Sequence, residues 1–291
     1  MPNINTSILM SDANNFSTEQ PINPYYHQDS IDCSKAVQEH ATICELLIEA
    51  GIKVATVLSP INCQDGVYTA NWALVRGDKA VLARLPNARC DEEAYAEKIL
   101  TSLGKQVIHI PEGLKFSGQG DALACGNFLF CGSGYRSDSA AQEFAAETLG
   151  YELVQLQAVP QLNPLGEAIT NQASGWPDSF FYDIDMALAI IKAPIDGQKG
   201  LIAYCPEAFI PESRELLENF DAVDKIKVSI NEARDAFATN LVSTGETVIM
   251  SSHAPQLATD LRNYGLTVLT PEITELSKGG GFIRCMTLTL D

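Results

Sequence analysis

The residue best suited to chemistry is Cys285, which closes the run Lys-Gly-Gly-Gly-Phe-Ile-Arg-Cys that begins at Lys278. Glycine allows positive φ and a close approach of the backbone to a ligand, so this turn can present Cys285 to a cavity. The neighbouring Arg284 would favour the thiolate, which is the nucleophilic form of cysteine. A buried structural cysteine explains the same run equally well, because free cysteine is among the most buried residue types. The run therefore predicts either a nucleophile or a core residue.

The elements that position this thiol are repeated along the chain. Four stretches each predict an apolar strand, a turn, a second strand, a helix and a third strand. They begin at Asn71, Asp121, Asp185 and Asn240, and their helices cover residues 91–103, 140–149, 212–220 and 255–264. The strand that starts at Cys285 has no following partner, but the N-terminal strand Ser7–Ser11, with a helix near 36–50 and a strand from Lys53, supplies one. The sequence thus predicts five units, the fifth split between the two chain ends.

A split unit favours radial closure, because joining the chain ends removes exposed sheet edges. The predicted fold class is therefore α/β, in the form of a closed five-bladed α/β propeller of repeated hairpin–helix–strand units. We expect it to form a single domain over residues 1–291. Residues 12–35 are predicted to be a loop-rich insertion over one face.

Alignment of the five units places one polar residue at the start of each first strand. These residues are Asn71, Asp121, Asp185, Asn240 and Cys285. Equivalent positions of a closed radial array converge on its axis, so they predict a central pocket of carboxylates and amides with one thiol. Asn and Asp also punctuate turns before strands, which is the alternative explanation.

Five ordered runs of the chain resemble motifs of the guanidino-modifying superfamily. They are Phe-Ser-Thr-Glu-Gln-Pro-Ile-Asn-Pro-Tyr (16–25), Asp-Gly-Val-Tyr-Thr-Ala-Asn (65–71), Phe-Ser-Gly-Gln-Gly-Asp-Ala-Leu (116–123), Phe-Tyr-Asp-Ile-Asp (181–185) and Gly-Gly-Gly-Phe-Ile-Arg-Cys (279–285). That superfamily includes arginine deiminases, dimethylarginine dimethylaminohydrolases, arginine dihydrolases and amidinotransferases. Its fold is a five-bladed α/β propeller, in agreement with the repeat.

The resemblance implies roles for individual residues. Cys285 would attack the guanidinium carbon and form a covalent thioether, while Asp185 and Asn71 would grip the guanidinium. Asp65 or Asp121 would support them. Further positions that match the family either stabilise loops or meet a substrate carboxylate: Arg89, Glu93 and Arg136. Weaker candidates are Asn15, Asn23 and Asn240.

Two positions depart from the family pattern. Asp183 stands where the family usually has its acid–base His, and Ser117 stands where it usually has a Glu that binds substrate. Loss of a positioned proton-transfer group typically costs about 10²–10⁴-fold in rate. We expect Asp183 to act as the acid, because it lies two residues from Asp185 on a predicted extended segment and paired carboxylates raise one pKa. We expect Ser117 to line the substrate pocket.

The basic group of the substrate itself and the four histidines are the other candidates for proton transfer. His27 falls in the predicted insertion, His40 on a helix surface, His109 inside a strand and His253 near a helix start.

Composition limits the partners. The chain has 19 Lys and Arg against 37 Asp and Glu, a formal net charge of −18. This balance disfavours nucleic acid and anionic membranes, and it permits a cationic guanidino-type small molecule. The eight cysteines form no CxxC pair and, with the histidines, fit no metal pattern. The glycine-rich runs at Gly118 and Gly132 do not open a helix with nucleotide-binding spacing, so no cofactor is predicted.

No apolar run reaches the length of a signal peptide core or a membrane span, which predicts a soluble, reduced, cytoplasmic protein. The sequence leaves open whether the protein forms a homo-oligomer. The predicted function is a cysteine-dependent C–N hydrolase of a guanidino or related amidine compound, of the dimethylargininase or arginine deiminase type. The alternatives are a catalytically impaired binding protein, an amidinotransferase, or a structural role of the fold itself.

Overall fold

The computed structural model describes residues 4–26, 31–195 and 197–291. His27 lies outside these residues. The strands are β1 (Ser7–Ser11), β2 (Lys53–Val57), β3 (Ala73–Arg76), β4 (Lys79–Leu82), β5 (Gln106–His109), β6 (Ala122–Cys125), β7 (Phe128–Gly132), β8 (Glu152–Leu156), β9 (Leu188–Lys192), β10 (Gly200–Tyr204), β11 (Val223–Lys227), β12 (Val242–Ser243), β13 (Thr247–Ile249), β14 (Thr267–Leu269) and β15 (Leu288–Thr289). The helices are α1 (Cys33–Glu49), α2 (Asp91–Ser102), α3 (Ser139–Leu149), α4 (Pro211–Asn219), α5 (Ile230–Asp235) and α6 (Pro255–Asn263).

The described strands form five three-stranded sheets, which confirms the five predicted units. Units 1 to 4 are β3-β4-β5, β6-β7-β8, β9-β10-β11 and β12-β13-β14, and unit 5 is β15-β1-β2. In every unit the first strand pairs antiparallel with the second, and the second pairs parallel with the third. The parallel pair requires a crossover connection, and a helix provides it in each unit. The split fifth unit is therefore as predicted.

The first strands, here called the inner strands, carry deeply buried apolar side chains. One such residue on each strand is 0–3% exposed: Leu74, Leu123, Leu188, Val242 and Leu288. Hydrogen bonds between segments next to these strands join each described unit to two neighbours. They are Arg84 N to Phe116 O, Ile184 N to Asp121 Oδ1, Ser243 Oγ to Ile191 O, Asn5 Nδ2 to Ser243 O, and Thr69 Oγ1 to Leu9 O.

Helix α1 shows how an amphipathic pattern builds the outer layer. Asp32 caps its start by accepting a bond from Lys35 N at 3.0 Å. Its buried face carries Ala36, His40, Ile43 and Leu47, at spacings of three and four residues. The expectation that His40 lies on the surface is therefore wrong, because its spacing from Ala36 and Ile43 places it on the apolar stripe. Burial lowers the pKa of His40.

The segments that precede the inner strands differ from the prediction. Asn71 and Asp185 lie in short 3₁₀ turns, Thr69–Trp72 and Ile184–Met186, and Asp121 follows a third such turn, Gly118–Gly120. The sequence pattern predicts that a strand begins at each of these positions. In a 3₁₀ turn three residues complete one rotation, so the side chains do not alternate between two faces as they would on a strand.

Glu39 on α1 anchors the segment that leads to Cys285. Its buried carboxylate accepts backbone N–H bonds from Thr274 at 2.8 Å, Glu275 at 2.9 Å and Leu276 at 3.0 Å. A 3₁₀ turn, Leu276–Gly279, follows directly and ends at the triple glycine. The helix of unit 5 therefore fixes the approach to the thiol.

We expect Glu39→Ala to lower the free energy of unfolding by about 1–3 kcal/mol, because buried backbone donors lose their acceptor. Urea denaturation followed by circular dichroism measures this. Glu45→Ala, an exposed position on the same helix, is the matched control and should change stability little. Equal effects of the two substitutions would contradict the anchoring role of Glu39.

Candidate active site

Cys285 is 2% exposed and is contacted by two polar side chains. Its Sγ lies 3.3 Å from Asp185 Oδ2, and Asn240 Nδ2 donates to it at 3.1 Å. Asn240 Oδ1 also accepts the backbone N–H groups of Phe282 and Cys285, each at 3.1 Å. Asn240 therefore binds the thiol and the loop that carries it. The family resemblance makes Asn240 a weaker candidate, whereas the register of the five units places it with Cys285, and the structure agrees with the register.

The triple glycine is required by close packing around the loop. Gly280 has φ of 84° and its carbonyl accepts a bond from Tyr182 Oη at 2.7 Å. A Cβ at Gly281 would lie 2.6 Å from the Tyr68 ring and 2.9 Å from Cys285 Cβ. Asn23 Nδ2 donates to Gly279 O at 3.1 Å. Any larger residue would displace the loop that holds the thiol.

Asp183 and Asn71 form the second part of the site. Asn71 Nδ2 lies 2.7 Å from Asp183 Oδ2 and 2.9 Å from Ser117 Oγ. Asp183 and Asp185 are both fully buried, and among the described residues the Oδ1 atom of each has no hydrogen-bond donor. The predicted extended segment is wrong, since Asp183 is extended but Asp185 lies in the 3₁₀ turn. The two carboxylates are nonetheless close enough for Asp183 to raise the pKa of Asp185.

Asp121 adds a third buried carboxylate. Its Oδ1 accepts the backbone N–H of Ile184 at 3.0 Å, and so fixes the turn that carries Asp185. A Cβ at Gly132 would lie 2.5 Å from this same oxygen, so the glycine makes room for the carboxylate. Burial, and then the charge of Asp183, raise the pKa of Asp121 well above its usual value.

The electrostatics of the thiol differ from the sequence-based expectation. Burial and the neighbouring Asp185 and Asp183 raise the pKa of Cys285 well above its usual value. Burial and Asp183 also raise the pKa of Asp185 to about 8. Arg284 and Cys285 do interact through their charges, but burial and the carboxylates outweigh this attraction in the unliganded protein. The Arg284 guanidinium donates to Gln119 Oε1, at 3.1 Å.

Arg89 is a buried positioning residue for Asn71. Its Nε and Nη2 bind the two oxygens of Glu92 at 2.8 and 2.7 Å, and its Nη1 donates to Asn71 Oδ1 at 2.7 Å. Nη2 also donates to the carbonyls of Asp65 and Tyr68, each at 3.2 Å. Every guanidinium nitrogen is thus bonded to protein, so of the two family roles the structure favours loop stabilisation.

Asp65 and Arg136 lie around this site in bonded positions. Asp65 accepts bonds from Tyr26 Oη and from Gln64 Nε2, and burial raises its pKa. Arg136 donates to Ile22 O at 3.1 Å, and its guanidinium carbon lies 3.9 Å from the centre of the Tyr182 ring. Since Tyr182 holds Gly280, Arg136 braces the loop of Cys285 through that ring.

The remaining sequence candidates have structural partners elsewhere. Glu93 accepts Leu85 N at 2.8 Å, and Asn15 donates to Ser59 Oγ at 2.9 Å. His109 and His253 are exposed and pair with Glu97 and Glu272. His253 directly precedes Ala254, the N-cap residue of α6, in agreement with its expected place near a helix start.

Two observations cover the described residues as a whole. No cluster of three or more His, Cys, Asp or Glu side chains in ranges 4–26, 31–195 and 197–291 has the arrangement of a metal site. Within the same ranges, no helix combines the length and apolar character that crossing a bilayer requires.

Comparisons with known proteins show the family of the chain. A family model described as N,N dimethylarginine dimethylhydrolase, eukaryotic, matches residues 8–290. The chain belongs to this dimethylarginine dimethylaminohydrolase family. It is 30% identical over 281 residues to the N(G),N(G)-dimethylarginine dimethylaminohydrolase of Mycobacterium tuberculosis, covering 94% of this chain and 82% of that protein. The motif resemblance to guanidino-modifying proteins is thereby confirmed.

A second relative is the bifunctional arginine dihydrolase/ornithine cyclodeaminase AgrE of a Nostoc species. The identity is 32% over 289 residues, which cover 96% of this chain and 37% of AgrE. The chain thus spans little more than a third of that relative. The names of both relatives include a hydrolase activity, arginine dihydrolase in one and dimethylaminohydrolase in the other.

Solved structures show the same α/β fold. The N-terminal domain of ArgZ, a cyanobacterial arginine dihydrolase solved with its product, matches with a TM-score of 0.84 and 27% identity, over 98% of this chain and 97% of that chain. A variant of that domain, covalently bound to a reaction intermediate, matches with the same TM-score of 0.84 and 27% identity, over 98% and 97%.

We expect Arg89→Met to lower the free energy of unfolding by about 3–5 kcal/mol, because it leaves Glu92 buried without its cation. Urea denaturation of the purified family member checks this. The double variant Arg89→Met with Glu92→Met should recover much of the loss, while Arg262→Met on the surface of α6 should change little. A double variant as unstable as the single one would show that the lost contacts to Asn71 dominate.

The raised pKa of Asp185 predicts a pH dependence of stability. The unfolded carboxyl loses its proton near its ordinary pKa of 3.8, and the folded one near about 8. The folded state therefore binds more protons between these values, so stability should fall as the pH rises through that interval. Thermal unfolding at several pH values should show a shallower decline for Asp185→Asn, and an unchanged one for the exposed control Asp224→Asn. The same decline in all three proteins would rule out Asp185 as its source.

Proposed function

We propose that the chain is a cysteine-dependent C–N hydrolase that acts on a guanidino or related amidine small molecule through a covalent thioether. The observation that carries this proposal is the contact of Cys285 Sγ with Asp185 Oδ2 at 3.3 Å, inside a group of buried carboxylates. The family relationship and the covalent intermediate solved in the ArgZ domain support it. The five joined units would form a closed propeller with this group on its axis.

A guanidinium ion matches the free acceptors of the site. The Oδ1 atoms of Asp183 and Asp185 have no donor among the described residues, and a guanidinium offers five N–H groups in a plane. Its positive charge offsets the carboxylate charge that raises the pKa of Cys285. Substrate binding therefore lowers the pKa of the thiol that must attack. Asn71 and Asp121 complete the binding site for the guanidinium. Ser117 lies beside Asn71, and Asp65 supports this binding site from outside it.

The first half of the reaction forms the thioether. The proton that Asp185 carries in the unliganded protein passes to Asp183 when the guanidinium binds, which leaves Asp185 free to accept the Cys285 proton. The Cys285 proton moves to Asp185, and the sulfur electron pair forms a bond to the guanidinium carbon. The π electrons of a C–N bond move to nitrogen and give a tetrahedral adduct. Asp183 then donates its proton to the leaving nitrogen as the C–N bond breaks. Ammonia or an amine leaves, and a planar amidino-thioether remains on Cys285.

The second half hydrolyses the thioether. A water molecule attacks the amidino carbon, and the carboxylate of Asp183 takes its proton. The C–S bond then breaks, and the sulfur recovers a proton from Asp185. A ureido or amide-type product leaves, and both carboxyl groups return to their starting states. In this scheme Arg89 and Arg136 hold the site together rather than contact the substrate.

The proposal requires a route for the substrate, because the reacting groups are buried away from solvent. Cys285, Asp183 and Asp185 are each no more than 2% exposed, so the loops around the triple glycine must move for a substrate to enter. The cytoplasm as the compartment, a single domain and a homo-oligomer stay predictions from the sequence.

A second candidate is a binding protein that holds the same cation without turnover. The observation in its favour is the raised pKa of Cys285, with carboxylates as the charged neighbours that raise it. An amidinotransferase would use the same first half-reaction with an amine in place of water.

The test uses purified protein with arginine, methylarginines, agmatine and guanidino acids. Mass spectrometry follows products and mass added to Cys285. We expect one compound class to be hydrolysed, with kcat lowered about 10⁴-fold or more in Cys285→Ser and about 10²–10⁴-fold in Asp183→Asn. Cys33→Ser, at an exposed thiol, is the matched control. Turnover that survives Cys285→Ser would exclude the thioether mechanism, and tight binding without product or adduct would favour the binding protein.

A further inference from the structure

A cavity of about 330 Å³ lies beside the inner strands, apart from Cys285. All five units contribute to its wall, through residues that include Leu74, Leu123, Leu188, Leu241 and Thr289. Its outer rim includes the exposed residues Ala124 and Asp291. The volume lies at the lower end of the range of small-molecule pockets.

The wall of the cavity does not include the residues of the proposed active site. Cys285, Asp183, Asp185 and Asp121 are not among the residues that line it. The lining residues flank the site positions along the chain: Gln119, Thr239 and Arg284 precede them, and Leu74, Leu123, Leu188, Leu241 and Thr289 follow them. The cavity is therefore a space distinct from the group of buried carboxylates.

Arg284 reaches this cavity as a buried cation with neutral partners. It is 8% exposed and lines the cavity, and it donates to Gln119 Oε1 and Thr289 Oγ1, each at 3.1 Å, and to Thr287 O at 3.4 Å. Among the described residues, no carboxylate lies within 4.0 Å of its nitrogens as an ion-pair partner. A buried charge without an ion partner is costly, so an anion in the cavity would be stabilised there.

The other charged groups of the cavity are already engaged. Arg76 donates to the carbonyls of Leu149 and Gly150, and its guanidinium carbon lies 4.1 Å from the Tyr151 ring centre. Asp291 at the rim accepts from Thr6 Oγ1 at 2.7 Å. Its negative charge disfavours multiply charged anions, whereas a single carboxylate is balanced by Arg284.

We propose that this cavity binds a small monocarboxylate with an apolar tail, the carboxylate on Arg284 and the tail against the leucines of the inner strands. Carboxylate binds guanidinium with short, charge-assisted hydrogen bonds, which makes Arg284 the natural anchor. The mainly aliphatic wall excludes a strongly polar tail. This site is separate from the proposed hydrolase site, and it stands whether or not that activity is found.

Isothermal titration calorimetry of the full chain with hexanoate tests the proposal, with 1-hexanol and hexylamine as probes of equal chain length. We expect hexanoate to bind once per chain and at least about tenfold more tightly than hexanol, because the alcohol lacks the charged partner of Arg284. Arg284→Met should weaken hexanoate by a similar factor. Cys285→Ser should leave it unchanged, since the thiol is not part of the cavity wall.

A second variant keeps the test decisive if Arg284→Met does not fold. Ala124→Trp fills the exposed rim of the cavity and should abolish hexanoate binding, whereas Ala94→Trp on the exposed face of α2 should retain it. Equal affinity for hexanol and hexanoate, unchanged binding in Ala124→Trp, or no binding of hexanoate would each overturn the proposal.

Discussion

The constraint on which the site depends is the burial of several carboxylates around one thiol. Asp121, Asp183 and Asp185 are at most 2% exposed, and their charges oppose one another and the thiolate. Such a group persists only with bound protons or with a bound cation. The raised pKa values of Asp185 and Cys285 show that the unliganded protein keeps protons there. A cationic ligand replaces those protons, which links recognition and thiol activation in one event.

The surrounding residues hold this energetically unfavourable group of carboxylates in place. Asn240 binds the thiol and two backbone groups of its loop, and Glu39 anchors the segment before it. The ion pair of Arg89 and Glu92 fixes Asn71, whose amide in turn meets Asp183. Charged groups that resemble substrate ligands in the sequence thus serve as fixed supports. Each of these supporting contacts offsets part of the free-energy cost of packing the carboxylates together.

Arg284 lines the second cavity and also acts through its charge on the proposed active site. It follows the triple glycine and precedes the nucleophile, yet its guanidinium turns toward Gln119 and Thr289. Its charge still acts on the thiol end, since it lowers the pKa of Asp185 against the larger effects of burial and Asp183. The same residue therefore faces a second cavity and influences the carboxylates of the first site.

The sequence by itself determined the repeat, the split fifth unit, the family and the register of Asn71, Asp121, Asp185, Asn240 and Cys285. These follow from local periodicity and from short motifs, which depend on neighbours in the chain. The turns before the inner strands, the buried face of His40 and the direction of Arg284 were decided by tertiary structure. Adjacent residues in sequence, such as Arg284 and Cys285, can have side chains with different partners, here Gln119 and Asp185. Which charges meet, and so which pKa values move, depends on contacts between units that no local pattern encodes.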